Sequence, residues 1–272
     1  MRELFKMWRN TRMIVLTAIC GAAYVAVLLP FKGLVIVPGL TEVRPGAALP
    51  IILGFLFGPA AVWGAAIGNT IADALGGMLS PGTIPGFFGN MIFAYIPYSI
   101  WRALFGRTNP VRAGLKGWIV LYLILVTDCL TIGAVIGYGV DLLKLAPFAA
   151  LGLIITVNNL LIAAVSVPLL VGLLYERVRL MGLLYFQVMD EEPADQNPPA
   201  GSFQPTRRAW AGLSLCLIGS MLAFAIGLYI SGESLGAGYG VAAFSAAAKG
   251  SVALGAGMIP GFLILLLGLI LL

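Results

Sequence analysis

The sequence predicts an all-α, polytopic membrane protein: a six-helix transmembrane bundle, two appended C-terminal transmembrane helices and a cytoplasmic N-terminus. Three observations carry that prediction. Hydrophobic residues make up 60% of the 272-residue chain and charged residues only 10%, whereas soluble domains carry roughly a quarter charged residues. The mean hydropathy is +1.02, and several apolar stretches approach the ~20 residues that cross about 30 Å of hydrocarbon. The period-2 alternation of a membrane barrel is absent, so helices must satisfy the backbone polar groups in lipid.

Residues 1–12 form a basic N-terminus with Arg2, Lys6, Arg9 and Arg12. The first span, 13–30, exceeds the roughly 7–15 residues of a signal-peptide apolar region and reads as a retained helix. A connector holding Pro38, Gly39, Glu42, Arg44 and Pro45 leads to the second span, 46–57. Gly58-Pro59 forces a tight turn into the third span, 60–78, and a Gly/Pro-rich connector from Ser80 to Pro85 precedes the fourth, 86–105. Arg107, Arg112 and Lys116 mark the connector to the fifth span, 117–140, and the sixth covers 147–175. The six-helix domain thus occupies 13–180. Residues 181–208 read as a cytoplasmic linker, because the stretch from Asp190 to Pro205 is acidic and then rich in Pro, Gln, Asn and Ser. Residues 209–272 hold the two appended helices, in apolar runs at 209–230 and 250–272.

Basic residues favour one side of these spans, and that side sets the orientation. With the N-terminus inside, inner segments hold Arg2, Lys6, Arg9, Arg12, Arg102, Arg107, Arg112, Lys116, Arg177, Arg179, Arg207 and Arg208. Outer segments hold only Lys32, Arg44, Lys144 and Lys249, so the ratio is twelve to four.

Composition also excludes chemistry. The chain has no histidine, which removes HExxH metalloprotease sites and Ser–His dyads. It has no GxxxxGK[ST] loop, so it does not hydrolyse ATP by Walker chemistry. Cys20, Cys129 and Cys216 lie in separate apolar runs without ligand spacing and read as packing residues rather than disulfides or metal ligands. The net charge of +5 sits at span ends and forms no nucleic-acid stripe. No catalytic residue, metal or cofactor is expected, and the chain reads as a non-enzyme.

Polar residues inside spans are costly and mark functional sites. Asn69 and Asp73 share a face of the third span, either contacting a solute in an outer cavity or bonding a neighbouring helix. Asn90 follows Gly86 and Gly89, which permit close approach. Asn158 and Asn159 point roughly 100° apart, so one of the pair faces the interior. Asp128 lies midway along the fifth span beside Thr127 and Thr131, as a neutral or hydrogen-bonded structural carboxyl or as a functional one. Glu42 and Arg44 lie beside the apolar run Leu34–Val37 and read as part of a lid, against the alternative of a solvated loop. Tyr95, Tyr98 and Trp101 read as interfacial anchors.

Ala18, Ala22 and Ala26 repeat every four residues beside Gly21 and Ala23, a spacing that lets another helix approach closely. With six spans, a basic N-terminus and outward polar residues, this pattern resembles the substrate-binding S component of energy-coupling factor (ECF) transporters. Glu42-Val43-Arg44-Pro45-Gly46, Gly58-Pro59, Gly68-Asn69 through Asp73, and Gly89-Asn90 are similar to the branch related to queuosine-precursor transporters. The resemblance covers roughly residues 10–180. It implies that the alanines dock on a transmembrane coupling subunit working with two ATPase subunits, in a prokaryotic plasma membrane. It also implies capture of a vitamin or related small solute by Glu42, Arg44, Asn69, Asp73, Asn90, Asn158 and Asn159. The two appended helices depart from the usual pattern. The competing expectation is a self-sufficient ion-coupled carrier using Asp73 and Asp128.

Overall fold

The computed structural model describes residues 2–31, 35–37, 41–42, 45–189, 205–235 and 252–272. Its first helix, α1 (Arg2–Lys6), leads through a 3-10 turn at Met7–Arg9 into α2 (Thr11–Leu28). Asn10 caps α2 by accepting from the backbone N–H groups of Arg12 (2.9 Å) and Met13 (3.3 Å), a cap worth about 1 kcal/mol. Its amide also donates to Val188 O at 3.0 Å.

The first connector holds two strands, β1 (Val35–Val37) and β2 (Thr41–Glu42), paired antiparallel with Val35 opposite Glu42 and Val37 opposite Thr41. This hairpin qualifies the all-α expectation. Its β-branched run Val35-Ile36-Val37 favours extended backbone.

Helix α3 (Ala48–Phe57) has 10 residues and is about 15 Å long at roughly 1.5 Å per residue. That is half of the ~30 Å hydrocarbon layer, so the second predicted span does not cross it alone. At Gly58, φ is +49°, and a Cβ there would lie 2.9 Å from both Tyr98 and Tyr185. Only glycine fits both the conformation and the space. Pro59 then opens α4 (Pro59–Leu75) at its first turn, where its missing N–H costs nothing.

The remaining helices are α5 (Thr83–Phe105), α6 (Gly114–Leu142), α7 (Phe148–Leu180), the short α8 (Tyr185–Met189), α9 (Arg207–Leu235), α10 (Val252–Gly257) and α11 (Ile259–Leu271). Among the described residues, five helical stretches are long and apolar enough to cross a membrane: Thr11–Phe31, Gly114–Leu142, Phe148–Met189, Arg207–Ser231 and Ala253–Leu271. The protein is a multi-pass membrane protein. Residues 181–208, expected as linker, begin with α8, whose Tyr185, Phe186 and Val188 are buried. Residues 190–204 lie outside the described set.

Close backbone approach organises several pairs of helices. Gly21 of α2 meets Gly64 and Gly68 of α4, and a Cβ on Gly68 would stand 2.8 Å from Gly21 O. Gly212 and Gly219 of α9 face Gly268 and Gly261 of α11 in the same manner. Helix α9 also packs on α5, α6 and α7. Cys20, Cys129 and Cys216 are buried free thiols.

The end of the bundle holding the N-terminus is basic. Glu3 accepts hydrogen bonds from Tyr98 and Arg102, and Arg112 and Arg179 pair with Glu176 at 3.5 and 2.8 Å. The Arg107 guanidinium lies over the Phe186 ring at 5.1 Å.

Candidate functional site

Asn69, Asp73 and Asn90 lie toward the end of the bundle opposite the basic one, because α4 reaches that opposite end at its C-terminus and α5 begins there. On α4, one helical turn separates Asn69 from Asp73, and Asn69 Nδ2 donates to Asp73 Oδ2 at 3.2 Å. Both side chains are buried. Asn69 Oδ1 is buried without a hydrogen-bond partner among the described residues. Gly86 of α5 lies against this amide: a Cβ there would stand 3.3 Å from Asn69 Nδ2.

Asn90, one turn along α5, is fully buried. Its Nδ2 donates to Gly86 O at 2.8 Å, and its Oδ1 accepts from the Tyr24 hydroxyl at 2.8 Å. The structure therefore joins Asn69, Asp73 and Asn90 through Gly86 at the meeting of α2, α4 and α5. Tyr24 escaped the sequence reading, since it meets Asn90 across 66 residues and carries no local motif.

On α7, Asn159 is buried and Asn158 half-buried. Asn159 Oδ1 has no partner among the described residues. Helix α7 packs chiefly on α6 and α3, so this pair forms a second polar patch. Asp128 is fully buried midway along α6, and neither of its carboxylate oxygens has a partner among the described residues. Glu42 contributes backbone to β2, while Arg44 lies outside the described residues.

A buried acceptor left unpaired costs about 1–3 kcal/mol. A ligand bearing N–H or O–H groups would remove that cost at Asn69 and Asn159. Among the described residues, the arrangement groups no nucleophile with a base.

A different feature lies on the outside of the bundle. Ala18, Ala22 and Ala26 are exposed and line a groove of about 600 Å³ with Trp8, Ile67 and Ile71. The other face of α2, carrying Cys20 and Tyr24, packs inward. A small-residue ridge in an otherwise bulky lipid-facing surface admits a second helix at close range.

Residues 14–175 match a family model described as QueT transporter. No curated protein and no solved structure matches the chain.

Proposed function

We propose that this chain, which belongs to the QueT transporter family, is the substrate-capture (S) subunit of an ECF-type, ATP-driven importer. It takes up a small solute, in the class of vitamins and queuosine precursors, from the side opposite its basic end. By the positive-inside rule that side is external and the N-terminus is cytoplasmic, in a prokaryotic plasma membrane. Glu42, Arg44, Asn69, Asp73, Asn90, Asn158 and Asn159 are the proposed solute contacts, with the hairpin β1–β2 as their cover. ATP is hydrolysed on two partner ATPase subunits, and the chain itself catalyses no reaction.

The observation carrying this reading is the exposed groove of Ala18, Ala22 and Ala26. Its small side chains leave the α2 backbone approachable, as a docking face for a transmembrane coupling subunit requires. The test is co-purification from the native membrane. A coupling subunit and its ATPases are expected with the wild-type chain and lost with Ala22→Trp, while solute binding persists. Wild-type protein that purifies without them overturns the reading.

A second reading rests on Asp128, the unpartnered carboxyl on α6. An ion-coupled carrier using Asp73 and Asp128 would take up solute into liposomes holding this chain alone, driven by an ion gradient.

A further inference from the structure

Asp128 is residue 15 of the 29 in α6, 0% exposed, with both carboxylate oxygens unpartnered among the described residues. Its surroundings supply acceptors rather than donors. The Thr127 hydroxyl donates to Leu123 O at 2.8 Å, and the Thr131 hydroxyl donates to Thr127 O at 2.7 Å. On the facing helix, the Thr156 hydroxyl donates to Cys129 O at 3.3 Å. Each proton goes to a backbone carbonyl, so each hydroxyl presents only lone pairs.

The basic residues of α6 and its neighbours do not reach Asp128. Lys116, Arg102, Arg177, Arg179, Arg207 and Arg208 all stand at the basic end. Lys116, the only one on α6, precedes Asp128 by twelve residues, about 18 Å of helix.

Asn159 is at the same depth. The Thr156–Cys129 hydrogen bond sets the register of α6 on α7, and a Cβ on Gly133 would fall on Thr156 Oγ1. From that level, Asp128 and Asn159 both lie toward the basic end. Asn159 Oδ1 is also buried without a partner. Two packed helices thus bring unpartnered oxygens to one level of the interior, and those of Asp128 belong to a carboxyl group.

We propose that Asp128 anchors a buried site for one monovalent cation, with the oxygens of Asn159 and Thr131 as neutral ligands. A single carboxylate balances a single positive charge. A divalent ion would leave a net charge in a low-dielectric interior, and the described residues contain no cluster of three acidic, Cys or His ligands. The cation is either a free alkali ion or the primary ammonium of a bound solute. Either supplies the same charge to the same oxygens. The site is argued independently of the importer reading.

The test uses the full chain purified in mild detergent, without solute or partners, at fixed pH and constant chloride. Choline, bulkier and without an N–H to donate, is replaced stepwise by sodium, potassium or methylammonium while thermal unfolding is followed. A saturable rise in Tm is expected, with loss of that response in Asp128→Asn and weaker half-saturation in Asn159→Leu. Saturation by sodium or potassium identifies a free ion, and saturation by methylammonium alone identifies the ammonium of a solute. Where Asp128→Asn fails to fold, the selectivity of the wild type and the shift in Asn159→Leu decide. Equal, non-saturating responses to all four cations, or a wild-type response retained in Asp128→Asn, overturn the site.

Discussion

Glu3 sits at the basic end, in α1, and accepts hydrogen bonds from the Tyr98 hydroxyl and the Arg102 guanidinium. Burial pushes its carboxyl pKa up, but the hydrogen bonds from Arg102 and Tyr98 and the Arg102 charge together hold it below the usual glutamate range. A folded-state pKa below the unfolded one means that the unfolded chain binds more protons. The contribution is therefore complete above the ordinary value of about 4.3 and is lost as pH falls through the lowered value. Glu3→Gln is expected to lower Tm at neutral pH, with the gap to wild type closing below about pH 4. Both side chains are partly exposed, at 33% and 46%, which limits the effect to about 1 kcal/mol or less. Scanning fluorimetry across pH measures it. In the polar half, Asn69→Leu removes the donor to Asp73 and the orphan acceptor together. Native mass spectrometry is expected to show solute affinity reduced about tenfold, or ~1.4 kcal/mol. Asn158→Leu, at a half-buried position, is expected to leave it within about twofold. Residue types at these positions were legible in the sequence, because polar groups stand out in apolar runs. Their partners were not: the Tyr24–Asn90 bond joins different helices, and which of Asn158 and Asn159 turns inward depends on how α7 is rotated against α6.

At the scale of the element, α2 presents two faces that should respond oppositely to added volume. Gly64 of α4 lies so close to α2 that a Cβ would be 2.6 Å from Cys20 Cβ and 2.9 Å from Thr17 O. The backbone carbonyl cannot move aside alone, so Gly64→Val must push the helices apart, at a cost of about 1–3 kcal/mol. Ala22 faces outward, and Ala22→Val is expected to leave Tm unchanged while weakening recovery of a coupling subunit. A matched loss of stability in both variants would show that the alanine ridge is internal packing. Helical stretches near the predicted spans were legible because apolar runs bounded by Gly, Pro or charge report length directly. The shortness of α3 was legible too, since 46–57 holds twelve residues against the ~20 of a full crossing, but the hairpin before it was less so. The hairpin depends on pairing between β1 and β2, which periodicity over three residues does not reveal.

Across the whole molecule, the two appended helices meet the bundle on a different side from the alanine groove. Phe148 at the start of α7 stacks edge-on with Phe224 of α9 at 5.6 Å. Ala149 N donates to Ser231 Oγ at 3.0 Å, and Tyr138 donates to Gly255 O at 3.1 Å. The contacts fall on α5, α6 and α7, whereas the groove is lined by α2, α4 and the turn at Trp8. The sequence showed the appended runs but not this placement, because residues 250–272 carry no charge or motif beyond Gly250 that would fix a face. Gly227 offers a way to disturb one side without the other. A Cβ there would lie 2.5 Å from the Phe148 ring and 2.9 Å from Met258 Sδ, so Gly227→Leu must displace Phe148 and open the joint between α7, α9 and α10. Thermal stability is expected to fall, by about 1–3 kcal/mol for an overpacked contact. Recovery of a coupling subunit should persist, because Ala18, Ala22 and Ala26 are untouched. Loss of the partner together with stability would instead place the appended helices within the docking surface, and an importer assembled on α2 alone would no longer account for the protein.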